Sequence, residues 1–218
     1  GDTLITSTKV VGLKQNKPKP NRPASGMVAL EIHVQNQRGE TVLFFWRCPM
    51  IPCRNPEAET GHNDSFDIMP ELIDIESLKE AVPTWDLNAF RTKSSEHHFE
   101  NLPLNQLLTV EARDTVTLAP ELVRMTLNMA MTHTDATRSV YGKRLVYGGH
   151  TISIAAAQLS RLLPNMVTVM GWFHCDHVGP VFEQDILTTR VTLLEKHATT
   201  SGGIACLHVE TYALRDPS

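Results

Sequence analysis

The sequence predicts an α+β fold in which antiparallel strands wrap one buried helix. Three observations lead there. Runs that alternate apolar and polar residues near both ends read as strands, a helix rich in small residues lies between them, and the pattern of the N-terminal strands returns near the C-terminus.

Residues 3–11 read as a first strand. A second, 27–35, alternates apolar and polar side chains, the turn 36–39 follows, and a third strand covers 41–46; this arrangement suits antiparallel pairing. Residues 49–105 are heterogeneous, with Pro52, Pro56, Gly61, Asn63 and Asp64 marking loops and a short helix expected over 74–81, stopped by Pro83. A strand at 107–112 comes next. Pro120 and Glu121 suit the first turn of a helix, where a missing N–H costs nothing and a carboxylate meets the positive end of the dipole; the helix is expected to reach about Met131. A further helix spans 149–163, with Ile152, Ala155, Ala156, Leu159, Leu162 and Leu163 on one face and Pro164 as its stop. Ala155, Ala156 and Ala157 let it approach a sheet closely, so it belongs in the concave face of strands expected at 166–173, 185–195 and 204–214.

The internal repeat rests on two segments. Gln184-Asp185-Ile186-Leu187-Thr188-Thr189 echoes Gly1-Asp2-Thr3-Leu4-Ile5-Thr6 at an offset of 185 − 2 = 183, and Gly203-Ile204-Ala205-Cys206-Leu207 echoes Gly26-Met27-Val28-Ala29-Leu30 at 203 − 26 = 177. The difference is a longer loop in the first copy, where Lys17-Pro18-Lys19-Pro20 sits. The first copy then has no counterpart of residues 108–183. A fragment of a longer protein, or reliance on another polypeptide to complete the first sheet, is the expectation.

Composition narrows the function. The 218 residues are 41% hydrophobic and 20% charged, which suits a globular chain rather than disorder. Twenty Lys+Arg against 24 Asp+Glu give a net charge of −4, so neither nucleic acid nor an anionic membrane is an expected partner. Neither a membrane span nor a signal peptide is legible, and a cytoplasmic location follows by default. Cys48, Cys53, Cys175 and Cys206 are too few and scattered for a disulfide framework and are expected to be reduced.

Polar groups that carry chemistry gather in one stretch. Asn128-x4-His133-x-Asp135 is followed by Gly142-Lys143-Arg144-Leu145-Val146-Tyr147-Gly148-Gly149-His150, and later by His177-Val178-Gly179-Pro180-Val181-Phe182-Glu183-Gln184-Asp185. In order and spacing these three motifs resemble the MaoC-like (R)-specific enoyl-CoA hydratases and dehydratases, above all the two-repeat type that includes mesaconyl-CoA hydratases. The resemblance implies a hot-dog fold, here a double hot dog whose first repeat lacks its N-terminal half. Residues 1–50 would be the C-terminal half of the first repeat, 51–105 a connection, and 106–218 a complete second domain.

The activity implied is that of a hydro-lyase in fatty acid or acyl-CoA metabolism, adding or removing water across the 2,3 double bond of an enoyl-CoA thioester, with a branched or dicarboxylic substrate like mesaconyl-CoA in view. His133 matches the family's catalytic histidine, and Gly148 its oxyanion-hole glycine. The family's aspartate, five residues before the histidine, is Asn128 here; an amide orients water but does not accept its proton at neutral pH. His133 is therefore read as base and proton shuttle and Asn128 as the group that holds water. Tyr147, Gly149 and His150 flank the glycine as candidate substrate-binding residues, although polar residues at a helix start are commonly caps. Asp135 reads as a structural partner.

Two other readings stay open: a non-catalytic acyl-CoA-binding or assembly subunit of the same fold, and a thioesterase, for which Asp135 would be the nearby carboxylate. No cofactor is expected beyond the coenzyme A of the substrate, and a homodimer or larger homo-oligomer is. His174-Cys175-Asp176-His177 with Cys48-x4-Cys53 invites a metal reading, but zinc ligands usually show tighter pairing, and no metal is expected.

Overall fold

The computed structural model describes residues 1–20, 22–57, 59–82, 98–128, 130–200 and 202–215. They form two compact units, Gly1–Leu72 and Ile73–Ser218. No helix among the described residues is long and apolar enough to cross a membrane.

The first unit is an antiparallel sheet of four strands: β1 (Ile5–Gln15), β2 (Ser25–Gln35), β3 (Thr41–Arg47) and β4 (Met50–Pro52). The central β2 pairs with all three others. The turn between β2 and β3 forms where the sequence places it: Gly39 takes φ +78°, and the buried Asn36 accepts from the Arg38 and Glu40 amides. No helix accompanies this sheet among the unit's described residues, and Val10, Phe44 and Phe45 remain exposed.

The second unit holds the helix and the longer hairpin. Its elements are α1 (Ile75–Ala81), β5 (Leu107–Thr109), β6 (Asp114–Thr115), α2 (Ala119–Met125), α3 (Gly148–Leu162), β7 (Ile186–Thr199) and β8 (Gly202–Leu214). Asp74 caps α1 by accepting from the Glu76 and Ser77 amides; Pro83, expected to stop that helix, lies outside the described residues. β7 pairs with β8 along its length and with β5 and β6 on its other edge. Its alternate residues Leu187, Thr189, Val191 and Leu193 are buried, as a strand with one face on a core requires. Leu159, Leu163 and Val191 form one core cluster, and Ile154 packs on another built from Val116, Ala119, Val146 and Leu187. The helix that the apolar spacing and Pro164 predict is thus present and lies on the strands, giving the α+β hot-dog arrangement.

The repeat survives at the level of backbone detail. β1 carries a register shift between Val10 and Gly12, β7 one between Leu193 and Glu195, and 193 − 10 = 183 is the offset found in the sequence. Across the ladder Val10 faces Leu30 and Leu193 faces Leu207, and 207 − 30 = 177 is the other offset. Both hairpins therefore bulge at the same place.

Two expectations are corrected. α2 ends at Met125 rather than near Met131. Leu127 adopts φ +54°, the Leu127 amide donates to the Arg124 carbonyl and the Asn128 amide to the Val123 carbonyl, a Schellman ending that turns the chain out of the helix. Residues 166–173 enter no strand ladder. Their β-branched and aromatic residues suit a pleated surface, but Val167, Val169, Trp172 and Phe173 are exposed, and composition without a partner strand makes no sheet.

One glycine at the hairpin end is tightly constrained. A Cβ on Gly203 would fall inside the envelope of the Phe99 ring, which also receives Lys196 Nζ at 5.0 Å from its centroid. Lys196 in turn donates to the carbonyls of Glu100 (2.9 Å) and Leu102 (3.2 Å), holding that turn on the hairpin. Gly203→Ala is expected to lose about 1–3 kcal/mol of stability by overpacking, read as a lower urea midpoint, and Phe99→Leu in the same chain to recover part of it.

Candidate functional site

The end of α2 sets the first residue of the site. Leaving the Schellman turn, Asn128 accepts from the Ala130 amide through its Oδ1 at 3.1 Å. Its carbonyl oxygen is thus occupied by backbone, and its NH2 group is the part with donors to offer. Among the described residues no hydrogen bond joins Asn128 to His133.

His133 lies in the short 3-10 turn Met131–His133 and is held from two sides. The Leu145 amide donates to the Thr132 carbonyl (3.0 Å), and the Leu145 carbonyl receives His133 Nδ1 at 2.7 Å. A carbonyl only accepts, so Nδ1 carries a proton, and in the neutral form of the ring the lone pair lies on Nε2. Tyr147 stands edge-on to the ring, with centroids 5.9 Å apart.

The segment that fixes His133 is itself pinned. Leu145 bridges to Phe182, and the Val146 amide donates to the Val181 carbonyl at 2.8 Å. Asp185, buried, accepts from the Phe182 amide (2.8 Å) and from Arg215 Nε (2.7 Å), while Arg215 also reaches the Pro180 carbonyl and holds its guanidinium 4.7 Å from the centre of the Phe182 ring. Arg144 pairs with Glu183 at 2.5 Å. The motif after His177 therefore works as a buttress, linking the end of β8 to the strand-like segment behind the histidine.

Gly148 opens α3, and helix geometry leaves the first amides without acceptors of their own. Tyr147 precedes it in extended conformation without capping through its side chain. A Cβ on Gly148 would lie 2.5 Å from His177 Nε2, and one on Gly149 2.6 Å from the Tyr147 ring. The backbone is bare here, and two aromatic side chains stand close over it. His150 turns inward: its Nδ1 is buried without a hydrogen-bond partner, and burial pushes its proton affinity down.

The second half of the helix sets its rotation. Gln158, fully buried, donates through Nε2 to Asp114 Oδ2 (2.7 Å) and to the Leu187 carbonyl (2.9 Å), and Arg161 pairs with the same Asp114.

Asp135 takes no part in this cluster. It caps the following 3-10 turn, accepting from Thr137 N (2.9 Å) and Thr137 Oγ1 (2.7 Å), and these bonds hold its carboxyl below the usual range. The four cysteines are free thiols.

Two contributors were hidden from sequence reasoning. His177 was visible inside a motif, but nothing in its Gly-Pro neighbourhood placed it over Gly148. The Leu145 carbonyl leaves no trace in residue type at all.

No family model matches the chain. It is 27% identical over 221 residues to a mesaconyl-CoA hydratase from Cereibacter sphaeroides and 28% identical over 232 residues to a beta-methylmalyl-CoA dehydratase from Chloroflexus aurantiacus; each alignment covers 99% of this chain and 62% of the relative. The chain thus spans about three fifths of the length of the curated relatives it matches. Among solved structures, Rv0216 of Mycobacterium tuberculosis, a conserved hypothetical protein of double hot-dog fold, superposes with a TM-score of 0.85 at 38% identity, covering all of this chain and 65% of that one. A MaoC domain protein dehydratase from Chloroflexus aurantiacus gives 0.83 at 24% identity over 63% of its length, a likeness of fold. The resemblance read from the three motifs is borne out.

Proposed function

We propose that this relative of the MaoC-like dehydratases, double hot dog in fold, is a hydro-lyase acting on a 2-enoyl-CoA thioester, with its reacting groups in the second unit. The observation that carries the reading is the fixed tautomer of His133: Nδ1 is committed to the Leu145 carbonyl, so the lone pair of Nε2 is the ring's basic position, next in the fold to a helix start stripped of side chain.

In the hydration direction, Asn128 donates to the water oxygen and holds it. His133 Nε2 takes a proton from that water as the new C–O bond forms at C3 of the acyl chain. The electron pair of the double bond moves through C2 onto the thioester oxygen, where the Gly148 amide stabilises the developing enolate charge. The same proton passes from His133 to C2, which restores the neutral ring and completes the addition. Dehydration runs these steps backwards. Tyr147, Gly149 and His150 line the approach of the acyl group, and coenzyme A arrives with the substrate, so the reaction as written calls for no resident cofactor. The named relatives support a branched, dicarboxylic acyl group of the mesaconyl type.

The test follows enoyl absorbance and free thiol together, with crotonyl-CoA and mesaconyl-CoA as substrates. Loss of enoyl absorbance without thiol release is expected. Thiol release would establish the thioesterase reading, and thioester binding with neither signal the non-catalytic subunit. Asn128→Asp is expected to retain hydration or raise it, because a carboxylate keeps the acceptor for the Ala130 amide and adds a second base. Loss of activity in that variant would show that the amide donors of Asn128 are essential.

A further inference from the structure

At the far end of the β7–β8 hairpin, away from the residues assigned to the acyl-CoA chemistry, three different donor side chains converge. Glu195 and Cys206 face each other across the ladder, immediately after the bulge, and His197 follows Glu195 by two residues, which returns it to the same face of the strand. Their ligand atoms, a carboxylate oxygen, an imidazole nitrogen and a thiol sulfur, all lie within 4.8 Å of one another, and His197 Nε2 is 3.0 Å from Glu195 Oε2. This is the only such group among the described residues.

The duplicated hairpin provides an internal control. At the offsets of the repeat, Glu195, His197 and Cys206 correspond to Gly12, Lys14 and Ala29 of the first copy, which bulges at the same point. There Gly12 and Ala29 serve packing, since a Cβ on Gly12 would meet the Phe66 ring at 3.0 Å and the Ala29 methyl at 3.5 Å, while Lys14 is exposed. The bulged hairpin thus forms without a carboxylate, imidazole or thiol at these positions, and the fold does not demand the three that the second copy brings together.

We propose that Glu195, His197 and Cys206 form a binding site for a divalent cation of the Zn2+ class. The donor set suits it: zinc accepts sulfur, nitrogen and oxygen ligands, and three protein groups plus a water complete a tetrahedron. Binding breaks the Cys206 S–H bond, forms the sulfur–metal bond and releases the proton to solvent. A cation shared by the three would tie β7 to β8 just beyond the bulge and clip the hairpin end.

Cobalt is the probe, because Co2+ occupies zinc-type sites and reports thiolate ligation by absorbance. Titrated into the reduced full chain, it is expected to give a thiolate-to-metal charge-transfer band that saturates at one equivalent and is displaced by Zn2+. Cys206→Ser is expected to abolish the band, His197→Ala and Glu195→Gln to weaken it, and Cys175→Ser to leave it unchanged. Should Cys206→Ser fold poorly, alkylation of the unmutated chain read by peptide mass replaces it: Zn2+ is expected to slow modification of Cys206 by roughly tenfold or more while leaving Cys175 unaffected. Absence of the band, its survival in Cys206→Ser, or equal alkylation of Cys206 with and without Zn2+ overturns the proposal.

Discussion

His133→Ala is expected to lower the rate of enoyl-CoA hydration by about 10²–10⁴-fold, the range that a positioned general acid–base group contributes. Stability should change little, because the side chain makes one hydrogen bond, to the Leu145 carbonyl, and lies partly open. That carbonyl then turns to water. The segment behind it stays in place, since the Leu145 amide still donates to Thr132 and the Val146 amide to Val181. The measurement is kcat and KM with crotonyl-CoA or mesaconyl-CoA beside a thermal melt. A fall confined to kcat with an unchanged midpoint fits a group that acts on the proton. Full activity in the variant would remove His133 from the mechanism and leave the resemblance without its base.

Gly148→Ala separates catalysis from folding more sharply. Gly148 is not among the glycines with positive φ, so alanine fits its backbone, and at the first position of a helix it is expected to add a few tenths to about 1 kcal/mol of stability. The new methyl would stand 2.5 Å from the present position of His177 Nε2, but that ring belongs to an exposed residue and has room to swing away. In the proposed mechanism the substrate has no such freedom: the thioester oxygen must reach the amide that the methyl now shields. Activity is expected to fall about 10²–10³-fold, the cost of one lost oxyanion donor, while the melting midpoint holds or rises. A variant both stable and fully active would move the oxyanion site elsewhere. Denaturation of the variant would show that the His177 contact is structural.

What could be read from the sequence follows the reach of local physics. β7 and β8 announced themselves because alternation is imposed by the pleat, and the buried set Leu187, Thr189, Val191 and Leu193 is that alternation seen from inside. α3 was legible from its apolar spacing and from Pro164. The repeat was legible as two short echoing segments, and the bulge that both hairpins share at those offsets appears only in the structure. The end of α2 was not, because the left-handed residue that closes such a helix is usually glycine and here is Leu127. Nor was the failure of 166–173 to join a ladder, since strand formation depends on a neighbour that the segment does not itself encode. The site divides in the same way. His133 and Gly148 stood out by spacing, whereas the Leu145 carbonyl and the placement of His177 are products of tertiary structure.

The buried amide of Gln158 bears on the site from nearly three helical turns away. Each residue of an α-helix advances the chain by about 100° of rotation, so anchoring Gln158 to Asp114 and to the Leu187 carbonyl fixes the direction in which the Gly148 amide points. The stretch between them acts as a ruler: its residues are free to change in kind so long as they pack, but their number is not free, because one more or one fewer would turn the amides aside from the proposed acyl site with the core still intact.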